Sequence, residues 1–218
     1  ENLGVHYYEQ KEYDKAIKYL KEAIRIEPDN IEAYYKLSVI YITLQQYKEG
    51  YNYCQRAYKL APNKPDIWLI YSYLLFYYRN EIKESKILLS KYFEYDKTSK
   101  KAYELLLDIL IIEKNFQELD RVMEKYYKLF PEDLTMLAKV SGQFARNNYF
   151  KEAIKYWDIY ANYFSKDWRV YYNIGLAYIK LEEYEKGLYN MKKAYELNKD
   201  EMNILNKIKE IEKLIKLK

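Results

Sequence analysis

Three stretches of this chain end alike: Lys21–Asn30 reads KEAIRIEPDN, Gln55–Lys64 reads QRAYKLAPNK and Glu124–Asp133 reads EKYYKLFPED. In each, a run of charged and aliphatic residues closes on a proline. Pro28 and Pro62 lie 34 residues apart, and Pro131 follows after 69, twice that interval plus one. A fixed period of this size is the mark of a repeat architecture and decides the fold before any local reading. Aligned on the prolines, residues 1–218 divide as a single array into 1–30, 31–64, 65–99, 100–133, 134–167 and 168–201, with a tail of 202–218.

The columns of that alignment agree. One slot reads Tyr34, Trp68, Tyr103, Leu137, Tyr171; three residues on it reads Leu37, Tyr71, Leu106, Val140, Ile174. Directly after comes a mostly small slot, Gly4, Ser38, Ser72, Leu107, Ser141, Gly175, and three further on Tyr7, Tyr41, Leu75, Leu110, Phe144, Tyr178. A second small slot holds Ala16, Gly50, Ser85, Leu119, Ala153 and Gly187. The spacings i, i+3, i+4 and i+7 are those of one helix face. A polar break in each unit splits it into two antiparallel helices, and the small slots are where the paired backbones approach closely. The third unit takes one extra residue near Asn80, and Leu107 and Leu119 put large residues into both small slots of the fourth.

This pattern resembles the tetratricopeptide repeat (TPR) family, whose signature W-x2-L-G-x2-Y is matched as Y-x2-L-S-x2-Y at Tyr34–Tyr41 and Y-x2-I-G-x2-Y at Tyr171–Tyr178. About five and a half copies stand in register across the chain. The resemblance implies an all-α fold, a right-handed α-solenoid of antiparallel helix pairs. The tail is amphipathic, with Ile204, Leu205, Ile208, Ile211 and Ile215 on one face, as a capping helix over the last apolar surface requires.

Composition agrees with helices. Gly (5) and Pro (4) are scarce in 218 residues, about 4% against roughly 12% in an average protein. Half the residues are hydrophobic and 32% are charged, which supports a packed core rather than disorder. Of 218 residues 30 are tyrosine, a side chain suited to half-buried surfaces because its hydroxyl wants a partner. The net charge is only +4, with Lys and Glu interspersed, so the concentrated basic footprint of a nucleic-acid binder is missing. The longest apolar run, Ile67–Tyr78 (IWLIYSYLLFYY), is too short to span a membrane. No signal peptide is visible, which leans towards the cytoplasm. However, a chain opening on Glu1 rather than Met reads as a trimmed fragment, so the compartment stays open.

Nothing in the chain asks for catalysis. The single histidine, His6, sits in the incomplete first unit, the glycines are too scattered for a phosphate loop, and Cys54 occupies a packing slot. One cysteine also makes a cysteine-based zinc site unreasonable. No cofactor and no metal is expected.

In TPR arrays the first helix of each pair lines a concave surface on which partners lie as extended peptides or helices. Carried over by register, that implies a groove lined by Tyr35 and Val39, then Leu69, Ile70, Tyr73, Phe76 and Tyr77, then Lys101, Glu104, Leu105, Asp108, Ile111 and Ile112. The last units contribute Lys139, Gly142, Arg146, Arg169, Tyr172, Asn173 and Lys180. Its start is mildly acidic (Glu1, Glu9, Glu32 and Asp66 against Lys36), its centre apolar and aromatic, and its end basic with no acid at a lining position. The carboxylate clamp by which some TPR domains hold chaperone C-termini is not met, because its positions read Tyr35, Val39, Ile70, Lys101 and Leu105. The expectation is a non-enzymatic scaffold whose apolar centre takes hydrophobic side chains of a protein partner and whose basic end takes acidic residues or a chain terminus. Three alternatives stand beside it: burial of the centre by tight winding, a self-associating (homo-oligomeric) or docking module of a larger enzyme or envelope assembly, and helical-repeat RNA binding.

Overall fold

The computed structural model describes residues 3–216; Glu1, placed above at the acidic start of the groove, and the last two residues of the expected capping helix lie outside them. Among the described residues every regular element is a helix. They are α1 (Leu3–Glu9), α2 (Tyr13–Ile26), α3 (Ile31–Thr43), α4 (Tyr47–Leu60), α5 (Pro65–Tyr77), α6 (Ile82–Tyr95) and α7 (Lys100–Ile112). Then follow α8 (Phe116–Leu129), α9 (Thr135–Arg146), α10 (Phe150–Tyr163), α11 (Trp168–Lys180), α12 (Tyr184–Leu197) and α13 (Met202–Lys216).

The chain forms two compact units, Glu1–Ile109 and Leu110–Lys218, whose boundary falls inside α7. In the first, each helix from α1 to α6 packs on the next. Leu89 and Tyr92 of α6 share a core with Ala102, Leu105 and Ile109 of α7. In the second, α9 packs on α10, α10 on α11, α11 on α12 and α12 on α13. Ile204, Ile208 and Ile211 of α13 are buried, while its remaining face carries Lys209, Glu210 and Lys213 to solvent.

The close approach expected at the small slots is visible within pairs. Ser85 Oγ of α6 donates to the Ser72 carbonyl of α5 at 2.7 Å, and Ser72 Oγ donates to the Leu69 carbonyl at 2.8 Å. A larger side chain at either position would separate the backbones and leave those buried hydroxyls without acceptors.

The short turns inside the pairs have one recurring conformation. Lys11, Gln45, Asn80, Lys114, Asn148 and Glu182 all have φ between 56° and 63°, in the left-handed region. The amide of the following residue reaches back to the helix, as Gln46 N does to the Tyr41 carbonyl at 2.8 Å and Glu183 N to the Tyr178 carbonyl at 2.9 Å. This is the Schellman closure, which normally recruits glycine. Asn80 follows Gln45 by 35 residues rather than 34, and there Glu81 N reaches the Leu75 carbonyl across six residues instead of five. The added residue is thus absorbed in the turn, leaving both helices in register. A β-carbon in the left-handed region costs about 1–2 kcal/mol, and glycine's extra freedom in the unfolded chain gives back roughly half of the gain from removing it. Gln45→Gly is therefore expected to raise stability by about 0.5–1 kcal/mol in urea unfolding; a loss would mean that the Gln45 side chain holds the turn.

Entry into the helices is capped by side chains in several places. Asn30 Oδ1 accepts from Ala33 N at 2.9 Å at the start of α3, and Asp167 Oδ1 from Arg169 N at 3.1 Å at the start of α11. Each satisfies one of the amides that a helix N-terminus leaves open.

Candidate functional site

In the first unit, α1, α3, α5 and α7 are the leading helices of their pairs, and their side chains meet along one face. Lys36 of α3 holds its Nζ 4.7 Å from the Tyr8 ring of α1 and 3.6 Å from Glu32 Oε1. Tyr35 is half-buried between α3 and α5. Burial pushes its phenol up to about 12, and the charges of Asp66 and Glu32 add to the effect. Val39, Leu69, Ile70, Tyr73 and Phe76 are half-buried as well, with Ile70 and Tyr73 resting on the Cys54–Leu74 core and Leu69 and Phe76 on the Leu89–Ile109 core.

The centre of this face is an aromatic cluster on α5. The Tyr73 and Tyr77 rings lie 4.4 Å apart by centroid, and Phe76 meets Tyr77 edge-on at 4.7 Å. Tyr77 is 45% exposed, yet its hydroxyl donates to the Asp108 carboxylate of α7, which is only 6% exposed. Burial first, then the Asp108 charge and hydrogen bond, hold the Tyr77 phenol well above its ordinary range. Tyr73 is pushed up to about 12 by burial, then by Tyr47 and by Asp108. These phenols are therefore neutral donors at physiological pH.

Other expected lining residues are placed differently. Leu105 and Ile111 are buried, at 3% and 1% exposure, so they are core beneath the surface rather than contact area. Asp108 is likewise turned inward, under Tyr77. Lys101 and Ile112 are exposed and Glu104 is half-buried. Tyr8 and Tyr47 join the face without having been singled out; their residue type gives no signal in a chain with 30 tyrosines.

In the second unit Arg146, Arg169 and Lys180 are exposed, and Lys139, Gly142, Tyr172 and Asn173 are half-buried. Arg146 donates to Gln143 Oε1 at 3.3 Å. Arg169 is engaged by Asp167, which accepts from its Nε at 2.8 Å and its Nη2 at 3.1 Å. These hydrogen bonds hold the Asp167 carboxyl below its ordinary range. Asp167 stands outside the lining register, so part of the expected basic charge is neutralised by a residue the register did not count.

A separate open cleft of about 560 Å3 lies in the second unit among α10, α11 and α12. Two of its three tyrosines are approached by the chain's own cations, Lys193 Nζ 4.1 Å from the Tyr171 ring and Lys186 Nζ 5.4 Å from the Tyr178 ring, while the third, Tyr189, is 68% exposed. We place the candidate site instead at the aromatic face of the first unit, where Tyr73, Phe76 and Tyr77 cluster on one leading helix.

The described residues contain no group of three or more His, Cys, Asp or Glu side chains able to hold a metal. None of their helices is long and apolar enough to cross a membrane. Cys54 is fully buried, and burial pushes its thiol up to about 12, which removes it as a nucleophile near neutral pH.

A family model described as TPR repeat matches residues 4–45, and one described as tetratricopeptide repeat matches 31–64 and 169–201. BBSome complex member BBS4 of Xenopus tropicalis is 26% identical over 76 residues, a match covering 35% of this chain and 15% of that protein. The chain thus spans only a small part of that relative's length. Among solved structures, PilW, a type IV pilus biogenesis factor, superposes with a TM-score of 0.68 at 15% identity, covering 94% of each chain. PilF of Pseudomonas aeruginosa gives 0.62 at 15% identity over 95% of this chain and 94% of its own. YrrB, described as a TPR protein with an unusual peptide-binding site, gives 0.59 at 16% over 87% and 97%. At these identities the likenesses establish the fold.

Proposed function

Starting from a chain that belongs to the tetratricopeptide repeat proteins, a family of generally non-enzymatic protein–protein interaction scaffolds, we propose that its first unit holds an extended peptide or helix of a partner protein against Tyr35, Val39, Leu69, Ile70, Tyr73, Phe76 and Tyr77. The observation that carries this reading is the α5 cluster. Tyr73 and Phe76, both partly exposed, each pack against the ring of Tyr77, which is 45% exposed, on a face made by the leading helices, with Tyr77 pinned by Asp108. Stiff aromatic surface of this kind supplies contact area at low entropic cost and dominates interface energetics. Residues Lys139, Arg146, Asn173 and Lys180 of the second unit are the proposed contacts for acidic residues. Arg169 contributes less there, because Asp167 already occupies its guanidinium.

A peptide-array screen tests the reading, with the wild-type protein beside Tyr73→Ala and Arg146→Glu. Hits rich in apolar residues, lost or strongly weakened in Tyr73→Ala, are expected. Hits insensitive to that change, or none at all, would turn the account towards self-association, which light scattering across a concentration series reads as mass rising above 26.8 kDa.

A further inference from the structure

The cleft of the second unit is chemically unlike the aromatic face of the first. Its volume of about 560 Å3 falls within the range of small-molecule sites, about 300–1,000 Å3. Buried Ala161 and Tyr171 form its floor. Among the described residues that line it, none is aliphatic beyond that alanine, so an apolar side chain has nowhere to bury itself. The lining charges balance, with the carboxylates of Asp158 and Glu185 against the ammonium groups of Lys186 and Lys193. Burial raises the Asp158 carboxyl and the Lys193 charge lowers it, while Lys186 is held by Glu183 at 2.6 Å. A strongly charged ligand of either sign therefore gains no net attraction. What the cleft offers is hydrogen-bonding capacity. Asp158 and Asn162 stand one turn apart on α10, and Glu185 and Tyr189 one turn apart on α12. Among the described residues, none of these four side chains is engaged in a hydrogen bond. Asn190 gives its Nδ2 to the Lys186 carbonyl at 3.0 Å, which leaves its Oδ1 as a further acceptor. With cations over Tyr171 and Tyr178, the ring left open is that of Tyr189.

We propose that this cleft binds a neutral oligosaccharide, with one sugar ring laid on Tyr189 and its hydroxyls paired with Asp158, Asn162 and Glu185. A sugar has the mixed character that this lining asks for. The C–H groups on one face of a pyranose carry partial positive charge and settle on the negative face of an aromatic ring. Its hydroxyls each donate and accept, matching carboxylates that only accept and amides that do both. An apolar ligand would strip these polar groups of water without replacing their hydrogen bonds, whereas a hydroxyl-rich one replaces them. A peptide is served less well, because its anchoring side chains need the apolar pocket that this lining lacks. Nothing in the proposal depends on the peptide-binding reading of the first unit.

The experiment is saturation-transfer NMR of the full chain with neutral trisaccharides of glucose, mannose, galactose and N-acetylglucosamine, beside sulfated and sialylated trisaccharides. At least one neutral sugar is expected to receive saturation from the protein. Its affinity is expected to fall about tenfold in Tyr189→Ala, the size of one aromatic contact, and about fivefold in Asp158→Ala, the size of one hydrogen bond. Tyr73→Ala is expected to leave it unchanged. Because Tyr189 is mostly exposed, its truncation keeps the fold, which a thermal midpoint verifies alongside the titration. Saturation of the sulfated or sialylated sugars alone would overturn the neutral assignment and mean that Lys186 and Lys193 read an anion. Binding of a neutral sugar that survives Tyr189→Ala would overturn its placement. No saturation of any neutral sugar would overturn the proposal, and peptide-array hits lost in Tyr189→Ala would then give the cleft to a protein segment.

Discussion

Gly175→Leu is expected to destabilise the second unit by about 1–3 kcal/mol, the cost of overpacking a close helix contact. Gly175 on α11 faces Gly187 on α12, and each backbone fills the space a side chain would need. A β-carbon at 175 would lie 3.0 Å from Met191 Cγ and 3.2 Å from the Gly187 carbonyl oxygen; one at 187 would lie 3.0 Å from Ile179 Cγ1 and 3.3 Å from the Gly175 carbonyl oxygen. The methionine can swing away. The carbonyl cannot, because it is part of α12, so a leucine must push the two helices apart along their length. Gly142 supplies the control. A β-carbon there meets only the far end of Arg146, at 3.7 Å, so Gly142→Ala is expected to be neutral or stabilising through helix propensity. Urea unfolding of the two variants beside the wild type checks both; an undisturbed Gly175→Leu protein would mean that α11 and α12 are not paired in this register.

Phe144→Ala is expected to cost more, about 3–5 kcal/mol, as truncation of a fully buried aromatic side chain does. Phe144 has no exposed surface and stands at the centre of a ring cluster: Phe116 meets it edge-on at 5.2 Å and Tyr156 stacks on it at 5.7 Å. Its removal leaves a cavity between groups that cannot close in. Tyr156 is held by Asp120, which accepts from its hydroxyl at 2.5 Å and also binds Lys155 Nζ at 2.7 Å. Phe116 is likewise held edge-on against Tyr149 at 5.1 Å. Phe144→Leu should recover a large part of the loss. If alanine costs less than about 1 kcal/mol, Phe144 is not the core of this unit.

Much of the architecture was legible because packing repeats. Two helices can approach only where both carry small residues, so Ser72 with Ser85 and Gly175 with Gly187 return at fixed positions and mark the period. The extra residue near Asn80 could be placed for the same reason, since both flanking columns resume their register after it. The turn conformation was not legible. Lys11, Gln45, Lys114 and Glu182 take the left-handed conformation without glycine, held there by backbone hydrogen bonds to the helix they end, and no residue type announces it.

Function was legible only by register. Helical register tells which side a residue leaves the backbone, not how far it reaches, so Leu105 and Asp108 counted as lining residues while their side chains lie under neighbours. Electrostatics escaped for a related reason. Arg169 is engaged by Asp167, two residues earlier and outside the lining positions, where the carboxylate also caps α11. The hydrogen bond that fixes Tyr77 of α5 goes to Asp108 of α7, 31 residues away in the chain.

The central claim is that the α5 aromatic face binds a partner peptide rather than merely filling the fold. The direct measurement is a calorimetric titration of wild type and Tyr73→Ala with the tightest peptide from the screen, paired with urea unfolding of both proteins. Tyr73→Ala is expected to bind about thirtyfold more weakly, the effect of a hot-spot residue of about 2 kcal/mol, while still folded at the titration temperature. An unchanged dissociation constant in a folded Tyr73→Ala protein would contradict it.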